Sequence, residues 1–440
     1  MKKRIGVIMG GFTPERHISL ESGRNVYSKL IASVKYDPLP LFLSGSMQAH
    51  RIFTLPTFLL LKDNADDIHD FLLHPAKFRE LEALLTPIRA EALGITKVYA
   101  KGAIFKPEEL TYQALKERID FIFIALHGRP GEDGTLQMIL EQYDIPYNGS
   151  GIETTALTID KYATNQFLIQ KGFYAAKQLI ITQKKWNHNQ IACIDAIEKN
   201  FSYPMIAKPV DDGCSTGVTK INNRSMLIAY ASASFQIQQK NPCDVVQTIG
   251  LQEKSSMVPQ ERFLLEDFIK KDTAVLHFLE TTTGLLTHIG DNGETIYEVF
   301  EPSEVLAADS ILSLAEKFLA GAGHNITPAR FHADAKTSVT ISQMVRAQLA
   351  KVAQVLNVQG YARIDAFVKI YPHQKVEIWV IEINALPAMT PATCIFHQCA
   401  LNGYTPFDFI DAIIQYGFKK THFTTSSPSG ILDKCIKKNY

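Results

Sequence analysis

The polar and apolar positions fall into short continuous apolar runs, a few helical stripes and one strictly alternating pair. Ile5-Gly6-Val7-Ile8-Met9 is a continuous apolar run ended by Gly10-Gly11. That is the pattern of a strand buried on both faces of a parallel sheet. A helix is expected to follow from near Ser19, which makes this the first βα unit of an open α/β domain. Phe121 to Leu126 repeats the pattern, Tyr203 to Ala207 gives a third strand, and Arg262 to Ile269 a fourth. Mixed apolar and charged residues at helical spacing predict helices within Ala76 to Arg89, and an amphipathic helix from Ser342 to Leu356. Tyr361 to Val368 then alternates as a strand, Tyr371-Pro372-His373-Gln374 reads as a turn, and Val376 to Asn384 returns as the second strand of a hairpin. From about Tyr416 the chain turns polar and is expected to be peripheral.

A chain of 440 residues, 46% hydrophobic, has room for two or three domains with cores of their own. Lys plus Arg and Asp plus Glu both number 45, and this balance favours neither nucleic acid nor an acidic membrane surface as partner. The six cysteines include no C-x-x-C pair, so neither a zinc site nor a disulfide framework is suggested. The apolar run behind Lys2-Lys3-Arg4 is too short for a secretory signal, and no stretch approaches a membrane span. The expectation is a soluble, cytoplasmic protein.

Chemistry concentrates on the hairpin. Residues two apart in a strand share a face, so Arg363 lies beside Asp365 and Glu382 beside Asn384. Two carboxylates and an amide oxygen suit Mg²⁺, which favours oxygen donors and leaves other positions to water and phosphate. For an isolated hairpin, a polar sheet face with a surface ion pair is the alternative. Elsewhere, Glu15 sits in the loop after the first strand, where open α/β sheets bind ligands. His127 begins the loop after the second apolar run. Lys161, Lys208 and the glycine-punctuated loop Asp211 to Val218 can meet a triphosphate with charge and backbone donors, although no Walker motif is present.

Four of these stretches share a family. Arg363-Ile364-Asp365, Glu382-x-Asn384 with Pro387-x-Met389-Thr390, Gly10-Gly11-x-x-x-Glu15-Arg16, and His127-Gly-x-x-Gly131-Glu132-Asp133-Gly134 together resemble D-alanine–D-alanine ligases of the ATP-grasp superfamily. The resemblance runs from Arg4 to Gly417, with insertions near 50 to 110, 235 to 260 and 290 to 315. It implies an α/β fold, α+β in the ATP-grasp part, in three subdomains. These are an N-terminal open parallel sheet domain over 1–154, a central domain with the phosphate loop over 155–262, and a C-terminal domain with the metal site over 263–440.

The resemblance also implies roles. Glu15 and His127 line the first D-alanine subsite, while Lys317, Phe318 and Thr393 face the second substrate. ATP is met by Lys161, Lys208, Cys214, Ser215, the hinge Glu266-Asp267-Phe268-Ile269, Asp272 for the ribose, and Lys317. Asp365, Glu382 and Asn384 hold Mg²⁺ or Mn²⁺, two ions in the family. Glu15, Ser215, Arg363 and the backbone N–H of Ala388 form the catalytic set, with Ala388 replacing a glycine. The implied reaction phosphorylates one D-alanine carboxylate from ATP, and the amine of a second then displaces phosphate. A homodimer with only small-molecule partners is the family's usual state.

Two departures bear on substrate. The family joins a glutamate, a serine and a tyrosine by hydrogen bonds, and the matching residues here are Glu15, Cys214 and Phe318. A thiol is a weak donor and phenylalanine none, so the set cannot form in that way. Phenylalanine at this place goes with ligases that take D-lactate and make an ester. The alternatives are thus a depsipeptide ligase, an ATP-grasp ligase for another acid and amine, or an inactive ATP-binding regulator. A dinucleotide oxidoreductase is opposed by the lack of G-x-G-x-x-G.

Overall fold

The computed structural model describes residues 1–56, 59–60, 64–74, 107–210, 217–236, 260–306, 324–391 and 393–420. The first apolar run becomes β1 (Lys3–Gly10), whose last six residues are buried. It is followed by α1 (Arg16–Ile31), β2 (Tyr36–Gly45), β3 (His50–Thr54), α2 (Ala65–Leu73), β4 (Glu109–Leu110), α3 (Tyr112–Arg118), β5 (Phe121–Ile124) and α4 (Thr135–Gln142). The sheet order is β4-β3-β2-β1-β5, with β1 parallel to both β2 and β5. The open parallel sheet is therefore present at its centre, and its other edge is antiparallel, because β3 folds back on β2 and β4 on β3. Helix α1 starts three residues before Ser19. The helices expected over 76–89 lie outside the described residues.

The second sheet is antiparallel. After α5 (Ile152–Ile159), α6 (Lys161–Gln170) and β6 (Tyr174–Ala175) come β7 (Gln178–Thr182), α7 (Gln183–His188), α8 (Gln190–Asn200), β8 (Met205–Pro209), β9 (Thr219–Ile221), α9 (Arg224–Ser234) and β10 (Arg262–Asp267). The order is β7-β10-β8-β9, closed on one face by a core that includes Trp186, Ile197, Tyr230 and Phe263. The boundary expected between 262 and 263 falls on the first residues of β10, a strand of this sheet.

The third sheet holds β11 (His277–Ile289), β12 (Thr295–Val299), β13 (Ser303–Leu306), β14 (His324–Ile326), β15 (Tyr361–Ile370) and β16 (Val376–Asn384), with α10 (Ala335–Val355) packed against it. Its order is β14-β13-β11-β15-β16-β6, with β12 paired to β11. The predicted hairpin is β15 and β16, turned by Pro372–Gln374. Helix α10 starts seven residues before Ser342 because the Asp334 side chain accepts from the Thr337 N–H and caps it there. Two helices end the described chain, α11 (Cys394–Leu401) and α12 (Pro406–Lys420). The segment after Tyr416 is not all peripheral, since Gly417 and Lys420 are buried in α12. Lys420 at the end of that helix is hidden, while Lys419 stays exposed, because one face of the helix returns to the first sheet. Phe409, Ile410, Ile413 and Ile414 share one core with Ile5, Val7, Phe121 and Phe123.

Candidate active site

The site is built on the hairpin's register. Asp365 stands opposite Glu382 and Arg363 opposite Asn384, with a bulge immediately after Asp365. The four side chains thus converge from two strands, as alternation requires. Arg363 donates from Nε to Asp365 Oδ1 at 3.0 Å and from a terminal nitrogen to Oδ2 at 3.1 Å, both residues being buried. Burial opposes the guanidinium charge, but Asp365, and more weakly Glu382, outweigh it and leave its pKa raised.

Asp365 has a third donor that the sequence pattern does not reveal. Thr282 lies directly opposite it on β11, and its hydroxyl donates to Oδ1 at 2.7 Å. Behind Thr282, Gln398 of α11 donates to the Thr282 carbonyl at 2.7 Å and accepts from Gly284 N–H at 2.7 Å. Only the pairing of β11 with β15 could have disclosed this support, and nothing in the local sequence fixes that partner. Beside the arginine, burial pushes the Cys394 thiol up while Arg363 pulls the other way.

A pocket opens over this sheet end, lined by Thr13, Glu15, Gly128, Lys161, Glu382 and Asn384 among others. It brings the first βα loop, the helix α6 start and the end of β16 to one place. Lys161 Nζ is 3.8 Å from Glu382 Oε2. Gly128 has φ of 68°, and a Cβ there would stand 2.9 Å from Glu15 Oε2, so this turn requires glycine beside that carboxylate. His127 does not line the pocket. It is buried behind it, with Nε2 2.9 Å from Ser22 Oγ and its N–H bonded to Ser19 Oγ.

In the second sheet, Lys208 Nζ is 2.8 Å from Glu266 Oε1, and both side chains are buried. Gln178 donates to the same oxygen. Asp267 ends β10, where burial raises its pKa against the opposing pull of Lys177. Phe268 and Ile269 follow the strand, with Lys220 Nζ 4.4 Å from the centre of the Phe268 ring. Asp272 pairs with Lys369 at 3.3 Å and stays 44% exposed. Ala388 and Thr393 are buried in the loop between β16 and α11. Thr393 occupies the N-cap position of α11 without using its side chain as a cap, and its N–H bonds to Thr390 O. Cys214, Ser215, Lys317 and Phe318 lie outside the described residues.

Sequence comparison places this geometry. The D-ala D-ala ligase N-terminus model matches residues 4–150, and the D-ala D-ala ligase C-terminus model matches 167–241 and 242–415. The chain belongs to the D-alanine–D-alanine ligase family. Relatives called D-alanine–D-alanine ligase are distant in sequence but close in extent. That of Geobacillus thermodenitrificans is 25% identical over 89% of this chain and 88% of its own. That of Caldicellulosiruptor bescii is 23% identical over 95% and 96%. Among solved structures, the VanG D-Ala:D-Ser ligase from Enterococcus faecalis superposes with a TM-score of 0.64 at 20% identity, covering 95% of this chain and all of that one. The D-alanine–D-alanine ligase from Bacillus anthracis complexed with ATP gives 0.57 at 19% identity, covering 96% and 99%. These likenesses establish that the three sheets form the fold of this ligase family.

Proposed function

We propose that this chain ligates two D-alanines at the expense of ATP, through an acyl phosphate, to supply D-alanyl-D-alanine for peptidoglycan precursors. One observation carries the reading. The pocket over β16 gathers an acid from the first domain, Glu15, with Lys161, Glu382 and Asn384 from the ATP-grasp part. Such a site can hold an amino acid against a nucleotide.

The donor set fits a hard cation. Asp365, Glu382 and Asn384 offer carboxylate and amide oxygens from paired strands, and the buried Asn384 Nδ2 has no protein partner, as befits a group facing ligand. Among the described residues no cluster of three His, Cys, Asp or Glu exists, so the amide is needed to complete the set. Mg²⁺ bound there would offset the charge of the phosphates.

The chain's own residues do the rest. Glu15 holds the ammonium of the first D-alanine and fixes its carboxylate toward the γ-phosphate. Lys161, Lys208 and Lys317 reduce the repulsion between carboxylate and phosphate, with Cys214 and Ser215 supplying the phosphate loop. The hinge Glu266 to Ile269 meets the adenine and Asp272 the ribose. When the second amine attacks, Arg363 and the Ala388 N–H face the developing oxyanion, each such donor being worth about 3 kcal/mol. His127 stands behind the first subsite rather than lining it, and Phe318 and Thr393 face the second. Domain limits near 154 and after Asp267, a cytoplasmic location and a homodimer complete the reading.

D-Lactate as second substrate is the competing reading, favoured by Cys214 and Phe318. Purified protein given Mg-ATP, D-alanine and equimolar D-lactate, with products read by mass spectrometry, separates the two. D-alanyl-D-alanine supports the proposal, D-alanyl-D-lactate the competing reading, and absence of both rejects each.

A further inference from the structure

Helix α1 reaches across to the loop after β16. Ser22 and Asn25, three residues apart and on one helix face, are both buried. The Met389 N–H donates to Ser22 Oγ at 3.0 Å, and Asn25 Nδ2 donates to the Met389 carbonyl at 2.8 Å. Both backbone groups of Met389 are thus taken by side chains of another domain. A buried backbone group needs a partner, and here α1 supplies it as a neighbouring strand would.

The same Ser22 oxygen is 2.9 Å from His127 Nε2. Accepting from Met389 leaves the hydroxyl its proton and a second lone pair, so Ser22 can either donate to the imidazole or accept from it, and what faces the other ring nitrogen decides between the two. The other ring nitrogen, Nδ1, faces the Glu132 carboxylate at 4.0 Å, an acceptor that favours a proton on Nδ1 and leaves Nε2 to accept from Ser22. The histidine's backbone is held as well, by Ser19 Oγ at its N–H and Thr13 Oγ1 at its carbonyl.

We infer that Ser22, assisted by Asn25, is a positioning residue that couples His127 to the loop carrying Ala388. Holding the N–H and C=O of Met389 sets the orientation of the peptide that follows Ala388, and with it the direction in which the Ala388 N–H points. Ser22 does not line the pocket. It acts by fixing the donor on one side and the histidine on the other. The inference rests on the ligase reading for Ala388, but the tautomer it requires does not.

The first measurement is ¹⁵N NMR of the histidine-labelled, ligand-free protein, with the His127 signals identified by their loss in His127→Gln. Unprotonated Nε2 and protonated Nδ1 are expected; protonated Nε2 overturns the inference whatever the enzyme makes. In Ser22→Ala the ring should pass to the Nε2–H tautomer common in solution, a change that loosened packing alone would not produce. Ligation by Ser22→Ala, referred to folded protein, should fall about tenfold in kcat, the loss of one buried hydrogen bond. The KM for ATP should stay within about twofold. Should the wild type ligate D-alanine while Ser22→Ala keeps full kcat, the coupling is wrong and the ligase reading stands. Should the wild type form no dipeptide, the ligase reading fails and the tautomer still decides the contact.

Discussion

At the scale of single residues, the Arg363–Asp365 pair is held more tightly than its sequence spacing implies. The Asp365 carboxylate receives Arg363 twice and Thr282 once, so its position is set from two strands. Replacing Thr282 by valine keeps the shape and removes only the hydroxyl. Groups that orient a metal ligand typically matter 10- to 100-fold in metal affinity. Thr282→Val should therefore raise the Mg²⁺ concentration for half-maximal ligation by about tenfold. An unchanged Mg²⁺ titration curve would confine Thr282 to packing. The other residue-scale prediction concerns choice of nucleophile. Cys214→Ser together with Phe318→Tyr restores a donor at each place. The ratio of D-alanyl-D-alanine to D-alanyl-D-lactate, measured with both substrates present, should rise by about tenfold, since one hydrogen bond to a charged group is worth about 1.5–3 kcal/mol. A constant ratio would place the preference elsewhere.

At the scale of elements, α11 approaches β11 where only glycine fits. A Cβ on Gly284 would stand 2.7 Å from Ile395 Cγ1 and 2.8 Å from Gln398 Oε1. Gly284→Ala must push α11 outward, taking with it Thr393 at the helix start. Overpacking of this kind costs about 1–3 kcal/mol. The urea midpoint should fall accordingly, and the KM for the second D-alanine should rise more than that for ATP. Equal changes in both would mean that the helix does not serve the second subsite. The glycine's neighbours illustrate which elements are legible in the chain. The β15–β16 hairpin is, because alternation, a turn and a return strand lie within 24 residues. So are β1 and β5, as continuous apolar runs. The long antiparallel β11 is not, since Thr281-Thr282-Thr283-Gly284 carries buried polar residues that break the pattern, and the Thr281 and Thr282 hydroxyls find their partners only across the sheet, on β15. Helix α10 is legible in its body but not at its start, which an Asp334 cap sets. Residues such as Ser22 and Gln398 look like ordinary helix positions until α1 and α11 are docked.

At the scale of the whole molecule, the last described helix joins the C-terminal part to the first sheet, and its join contains a buried lysine. Lys420 Nζ donates to Gly149 O at 2.6 Å and lies 3.6 Å from the centre of the Tyr147 ring. Gly417, one turn earlier, allows the approach, because a Cβ there would be 2.6 Å from both Phe121 and the Tyr147 carbonyl. The acid near this lysine, Glu141, is already bonded to the Tyr147 hydroxyl at 2.7 Å and compensates little. Burial consequently pushes Lys420 down to about 7. Unfolded, the same group titrates near 10.4. Between those values the unfolded chain binds one proton more than the folded chain, so this residue makes stability rise with pH there. Below about pH 7 both states are protonated, the burial cost is fully present, and the contribution is flat. Lys420→Met removes the titration while keeping an unbranched side chain. The stability of the wild type relative to Lys420→Met, from urea denaturation, should be constant from about pH 5.5 to 6.5 and climb from about pH 7 to 9.5. Parallel curves over the whole range would show that Lys420 keeps an ordinary pKa and that the helix end is open to water. A rising difference would mean that the contact between α12 and the segment leaving the first domain tightens with pH. Gly149 packs against both Leu386 and Gly360, so the same contact sits beside the loop that carries Ala388.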